Sequence, residues 1–148
     1  MGVERFIEAQ ANTRSGYGTA RAELLAGAKQ THWIWWVFPQ LAGLGSSSVS
    51  VRYAIEDRAE ALHYLRDPVL GGRLHEAVGI VRRQLEAGIS LRALMGSPID
   101  CSKLVSSLTL FATVGHTEES AAGLVAEADA VLALAAAQGF PRCGFSGR

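Results

Sequence analysis

Residues 67–88 read Asp-Pro-Val-Leu-Gly-Gly-Arg-Leu-His-Glu-Ala-Val-Gly-Ile-Val-Arg-Arg-Gln-Leu-Glu-Ala-Gly, and their reading decides the fold class. Asp67 is an N-cap residue, and Pro68 follows at the first helical position, where its missing N–H costs nothing. Leu70, Leu74, Ala77, Val78, Val81 and Leu85 recur at helical spacing and form one apolar face. Gly71, Gly72 and Gly79 weaken the helix, and Gly88 supplies its natural stop.

Similar punctuation recurs on both sides. Asp57 with Glu60 three residues on forms a capping-box pair for a helix over Arg58 to Leu65. Ser90 caps a short helix from Leu91 to Met95, which Gly96-Ser97-Pro98 ends. Asp100 is the expected cap of the next helix, Cys101 to Thr113. There Leu104, Leu108 and Phe111 make an apolar row, with Ser106, Ser107 and Thr109 on other faces. Thr117 is the expected cap of an alanine-rich helix from Glu118 to Gln138. Val3 to Gln10 and Gly18 to Ala28 also carry helical spacing, whereas Ser50 to Ile55 is short and mixed. His32 to Phe38 is continuously apolar, and periodicity does not separate a strand from a short buried helix. The expectation is a compact all-α bundle of six or seven helices in one domain over 1–148, with 139–148 as a loose tail.

Lys+Arg and Asp+Glu number 14 each, and 49% of the residues are hydrophobic. That supplies a core but no basic excess, which argues against nucleic acid and anionic membranes as partners. Zero net charge is compatible with a homodimer. Cys101 and Cys143 have no partner spacing and read as structural thiols in a reducing compartment. Met1 to Gln10 lacks a signal-peptide pattern, and no uninterrupted apolar run approaches the roughly 18 residues a span needs. The expected location is the cytoplasm. The four histidines show no metal-ligand spacing, and no cofactor motif is present. Gly43 to Gly45 lacks the strand and the Lys-Ser/Thr of a phosphate loop.

The chemistry-bearing stretch is Lys29 to Gly45, which holds all three tryptophans. His32, Trp33, Trp35 and Trp36 fit either an aromatic core or the wall of a pocket for a flat heterocycle. Lys29, Arg52 and Lys103 are cations set in apolar surroundings, suited to an anion or to the solvated end of a helix. Gln40, Ser106 and Thr109 offer polar contacts, although mid-helix Ser and Thr more often bond back to the preceding turn. Glu4 and Glu8 share a helix face, and Glu8 and His32 are the candidate acid–base pair.

Several motifs fall in order along the chain. They are Arg5-Phe6-Ile7-Glu8-Ala9-Gln10, Lys29-x-x-His32-Trp33-x-Trp35, Phe38-Pro39-Gln40, Gly43-Leu44-Gly45, Arg52-Tyr53-Ala54-Ile55, Glu60-Ala61-x-x-Tyr64-Leu65, Pro68-Val69-Leu70-Gly71-x-Arg73-Leu74 and Lys103-Leu104-x-Ser106-Ser107-x-Thr109-Leu110-Phe111. Together they resemble the bacterial family called domain of unknown function 1810, over roughly residues 4–114. The resemblance implies a small, mostly helical cytosolic protein and no established reaction. The family's aromatic-rich C-terminal segment is replaced here by the alanine-rich helix and a glycine tail. Residues 4–10 are also similar to a helix of NADAR-type N-glycosidases, agreeing at Glu4, Phe6, Ala9 and Gln10. That likeness implies cleavage of N-ribosyl bonds.

The expected function is cofactor-free hydrolysis or rearrangement of a heterocyclic, nucleoside-like anionic metabolite. The aromatic cluster would stack the ring, with Lys29, Arg52 or Lys103 on the anion. The alternatives are a small-molecule-binding or protein-interaction module on the same surface, and a helical scaffold whose tryptophans are only core.

Overall fold

A computed structural model describes residues 2–147. Among them are nine α-helices and one 3-10 turn: α1 (Glu4–Gln10), α2 (Tyr17–Ala26), α3 (Ile34–Val37), α4 (Ser48–Arg52), α5 (Arg58–Arg66), α6 (Pro68–Glu86), α7 (Leu91–Met95), α8 (Pro98–Gly115), the turn Glu119–Ala121, and α9 (Ala122–Ala137). The only sheet-like pairing among the described residues is an isolated bridge between Leu41 and Ile55. The fold is all-α, as the capping signals predict. Asp57 and Ser90 each accept from the N–H three residues on, and Asp67 accepts from Val69 and Leu70 N–H groups.

Helix α9 packs on both α6 and α8, and α5 lies against the same two helices. Helix α8 is buried almost all round, from Cys101 through Leu104–Ala112 to Gly115, so it is the central element. Ser106, Ser107 and Thr109, expected on other faces, are therefore buried too. Helix α8 also begins earlier than predicted. Ser97, not Asp100, accepts from the Asp100 N–H, and Pro98 stands at its first turn. Ser97-Pro98 repeats the grammar of Asp67-Pro68, and it outcompetes the aspartate two residues later. Likewise Thr117 does not cap α9, which enters through the 3-10 turn without a side-chain cap.

The stretch Glu119–Ala137 is long and apolar enough, by length and composition, to cross a membrane. Here Leu124, Ala128, Val131, Leu132 and Ala135 are buried, and the helix packs on α6 and α8 as a core helix does. At the α8–α9 junction a Cβ on Gly115 would lie 2.8 Å from Val125 Cγ2, so only glycine permits that approach. In α6, a Cβ on Gly71 would lie 2.2 Å from the Leu65 carbonyl oxygen. Gly72 and Gly79 have no such constraint, although each helix-interior glycine costs about 1 kcal/mol relative to alanine.

The tail departs from expectation. The Cys143 N–H donates to Thr109 Oγ1 at 3.2 Å, Ser146 is buried, and Phe145 lies against Gly43. Residues 139–147 thus run over α8 toward the 43–45 loop. The buried hydroxyl of Thr109 gives this segment a fixed partner that no local pattern in the tail announces.

One buried ion pair joins the N-terminal half. Arg5 meets Glu60 at 2.7 and 3.0 Å, and both side chains are under 10% exposed. Burial pushes the Glu60 carboxyl up, but the Arg5 hydrogen bonds, the Glu56 N–H and the Arg5 charge outweigh it and hold it below the ordinary carboxylate range. Removing one partner strands the other charge. Arg5→Met should therefore cost about 3–5 kcal/mol in urea unfolding, and adding Glu60→Leu should recover much of the loss. Arg14→Met, at an exposed position, should stay within about 0.5 kcal/mol of wild type.

Candidate functional site

The run 29–38 resolves into a loop and the short helix α3. A single carboxylate shapes the loop. Glu23 of α2 accepts from the Gln30 N–H (2.7 Å), the Thr31 N–H (3.0 Å), the Thr31 hydroxyl (2.8 Å) and the Trp33 indole N–H (2.9 Å). Burial raises its carboxyl, but these four donors prevail and lower it below the ordinary value. Trp33, expected at a pocket wall, is fully buried and bound by Glu23, so it belongs to the core.

Lys29 is also committed elsewhere. Its ammonium donates to the Thr31 carbonyl and pairs with Asp100 at 2.8 Å, with only 5% of the side chain exposed. It braces the loop against the start of α8 rather than waiting for a ligand. Thr109 donates to the Val105 carbonyl one turn back and accepts from the tail. Gln40 is half-buried, and its backbone carbonyl accepts from the Ile55 N–H.

What the structure brings together is a strip of rings. The exposed His32 packs on Trp35 (centroids 6.4 Å), Trp35 on Trp36 (6.0 Å), and Trp36 edge-on to Tyr53 (5.2 Å). Trp35, Trp36 and Tyr53 are partly exposed. Two cations lie against the strip. Lys103 Nζ lies 4.8 Å from the Trp35 centroid, and the Arg52 guanidinium 5.4 Å from that of Tyr53. The Trp36 indole donates to the Ser15 carbonyl at 2.8 Å. The Trp35 indole nitrogen, in contrast, is buried without a partner, one of two such side-chain atoms among the described residues. An unmet buried donor of this kind costs about 1–3 kcal/mol. Lys103 lies 3.8 Å from Asp100, so two lysines share one aspartate and the cluster keeps a net positive charge.

Glu8 is exposed on α1 and, among the described residues, has no hydrogen bond or ion pair to His32. Sequence reasoning passed over Tyr53 and left Trp35 open between core and pocket wall. The pairs Trp35-Trp36 and Arg52-Tyr53 were the available signals, but only the fold sets them side by side. It also missed Glu23, whose donors lie only seven to ten residues on, and the pairing of Asp100 with Lys29, which is distant in sequence.

A model for a protein of unknown function, DUF1810, matches residues 1–128. The chain belongs to that family. This DUF1810 protein is similar in structure to the conserved hypothetical protein Rv1873 from Mycobacterium tuberculosis, with 44% identity, 84% of this chain and 85% of that chain covered, and a TM-score of 0.72. No curated protein matches the sequence. The family match takes in the ring strip and the first turns of α9, and residues 129–148 lie beyond it.

Ser106 faces the tail. With Cys143, Val105 and Phe140 it lines a cleft of about 380 Å³. Burial raises the Cys143 thiol, but hydrogen bonds from Ser146, Ser106 and the Phe145 and Ser146 N–H groups lower it below its ordinary value. Cys101 is the opposite case, fully buried and pushed up to about 11 by burial and the charge of Asp100. Iodoacetamide at neutral pH should therefore alkylate Cys143 in the native DUF1810 protein and leave Cys101 unmodified until unfolding, as read by intact mass.

The lowered carboxyls of Glu23, Glu60 and Glu76 set the acid response. Their contribution is complete above the unfolded value of 4.5 and is lost as the pH falls through the lower folded values. Unfolding free energy should thus decline on acidification below about pH 4.5, and Glu23→Gln should flatten that decline.

Proposed function

We propose that this protein binds a flat, anionic heterocyclic molecule on the strip His32–Trp35–Trp36–Tyr53. The observation that carries this reading is a continuous, partly exposed ring array with a lysine over Trp35 and an arginine beside Tyr53. Ring faces and edges recognise a heterocycle by stacking, and Lys103 and Arg52 supply the counter-charge for a phosphate or carboxylate. Balanced overall charge favours a small molecule over a polyanion.

A second reading is catalytic. His32 is exposed at the end of the strip and, among the described residues, donates to and accepts from no neighbour. Its imidazole is free to exchange a proton with a ligand stacked on Trp35. On that reading the reaction is a cofactor-free hydrolysis or rearrangement. Glu8 and the buried Lys29, Trp33 and Thr109 take no part in it.

A thermal-shift screen against nucleosides, nucleotides, pterins and heterocyclic acids tests both. A ligand at a hundredfold excess over its Kd should stabilise the wild type by about 2.7 kcal/mol. Trp35→Leu should weaken its binding about 5- to 160-fold, the value of one stacked ring. Lys103→Met and Arg52→Met should weaken the anionic ligand and spare its uncharged analogue. Equal shifts in wild type and Trp35→Leu would sink the site. A ligand whose mass changes with wild type but not with His32→Ala would establish catalysis.

A further inference from the structure

Away from the ring strip, α6 and α9 line a cleft of about 360 Å³, and a second of about 300 Å³, bounded also by the end of α5 and the turn Glu119–Ala121, shares Gly72 and His75 with it. Gly72 and Gly79 lie on the floor of the larger one. Packing explains neither glycine. A Cβ on Gly72 would meet nothing within 4 Å, and one on Gly79 would reach only the Arg83 guanidinium, at an ordinary 3.5 Å. Both sit inside a helix, where alanine is preferred. What they leave is a bare backbone floor. On the other wall, a Cβ on Gly123 would lie 2.9 Å from the His75 ring, so α9 is cut away where that imidazole rests.

The charges in the groove are not evenly spent. Glu76 is held by Arg21 (3.2 Å) and the Tyr17 hydroxyl, and Glu127 by Arg82 (3.3 Å). Arg83 lines the same cleft, yet among the described residues no carboxylate lies within ion-pair reach of its guanidinium. His75 likewise has no hydrogen-bond partner among them. The two are eight residues apart, about 12 Å along the helix axis, with Gly79 between them.

We propose that this groove is a second small-molecule site, independent of the ring strip, which takes a small organic anion. The anionic group meets Arg83, the body of the molecule lies on the backbone at Gly79 and Gly72, and a hydroxyl or ring nitrogen reaches His75. Arginine suits the phosphate or carboxylate by its forked donors.

Two measurements decide it. Gly72→Ala and Gly79→Ala should each raise Tm by a few degrees, because helix propensity improves and nothing clashes. A fall in Tm would make the glycines structural and overturn the argument for an open floor. Amide shifts are then followed in labelled protein titrated with ribose 5-phosphate and, separately, with gluconate, up to about 20 mM, which captures millimolar affinity. Movement of the Gly72, Gly79 and Glu127 amides is expected with one probe or both, and the stronger of the two identifies the headgroup. Arg83→Gln should weaken that binding by at least about tenfold, and Gly79→Leu should block it. Lys103→Met, on the ring strip, should leave it unchanged. Silence of the groove amides with both probes, or equal binding by Arg83→Gln, would overturn the proposal without touching the ring strip.

Discussion

A single buried guanidinium holds the N-terminal half of this molecule in register. Arg5 reaches the Glu60 carboxylate on α5, the Arg52 and Ala54 carbonyls at 2.9 and 2.6 Å, and the Gly2 carbonyl behind it. Glu60 in turn accepts from the Glu56 N–H. The stretch 52–56 has almost no regular structure of its own, so these contacts are what position it. Tyr53 stands in that stretch, and Ile55 makes the bridge to Leu41. The far end of the ring strip is therefore placed by an arginine that holds the backbone on either side of Tyr53. Arg5 also lies over the Phe6 ring, which packs against Tyr53 and Tyr64, so charge and aromatic packing act on one junction.

The near end is set by a different carboxylate in a related way. Glu23 gathers four donors from 30–33, and Asp100 anchors Lys29. Each is a local exchange of solvent for fixed partners that an unstructured loop could not make alone. The consequence is a division of labour among neighbours in sequence. Trp33 points into the core, Trp36 is tied to Ser15, and Trp35 is left with an unmet donor and a lysine on its face. Only the last has the character of a surface still waiting for a partner.

Most of the helices were legible because their punctuation is local. Asp57, Asp67-Pro68 and Ser90 act within three residues, and the predicted caps are the observed ones. Ser97-Pro98 was passed over because Asp100 is an equally good cap by type, and only the register of α8 separates them. The run 32–38 stayed open because a four-residue helix, α3, carries too little period to declare itself. The site was less legible for a physical reason. Lys29, read as a ligand cation, looked unpaired because Asp100 is distant in sequence. Arg5 and Glu60 stood in separate motifs with nothing to join them. Polar residues inside apolar motifs do mark constraint, but in this chain several of them satisfy the fold itself.

That distinction bears on how a neutral surface carries specific sites. With equal numbers of acids and bases, long-range attraction contributes little, and recognition depends on which charges the fold leaves unspent. Glu76, Glu118, Glu127 and Asp129 are each matched to an arginine. Lys103 is only partly matched, because Asp100 is already held more closely by Lys29. Arg83 is not matched at all among the described residues. Lys103 and Arg83 are each set beside a feature that packing does not require: an indole with an unmet donor and a backbone floor without side chains. An uncompensated charge on open surface is ordinary, since water solvates it. One placed beside an unmet polar group or an unfilled groove is where a ligand gains most, because there it replaces both water and the missing contact.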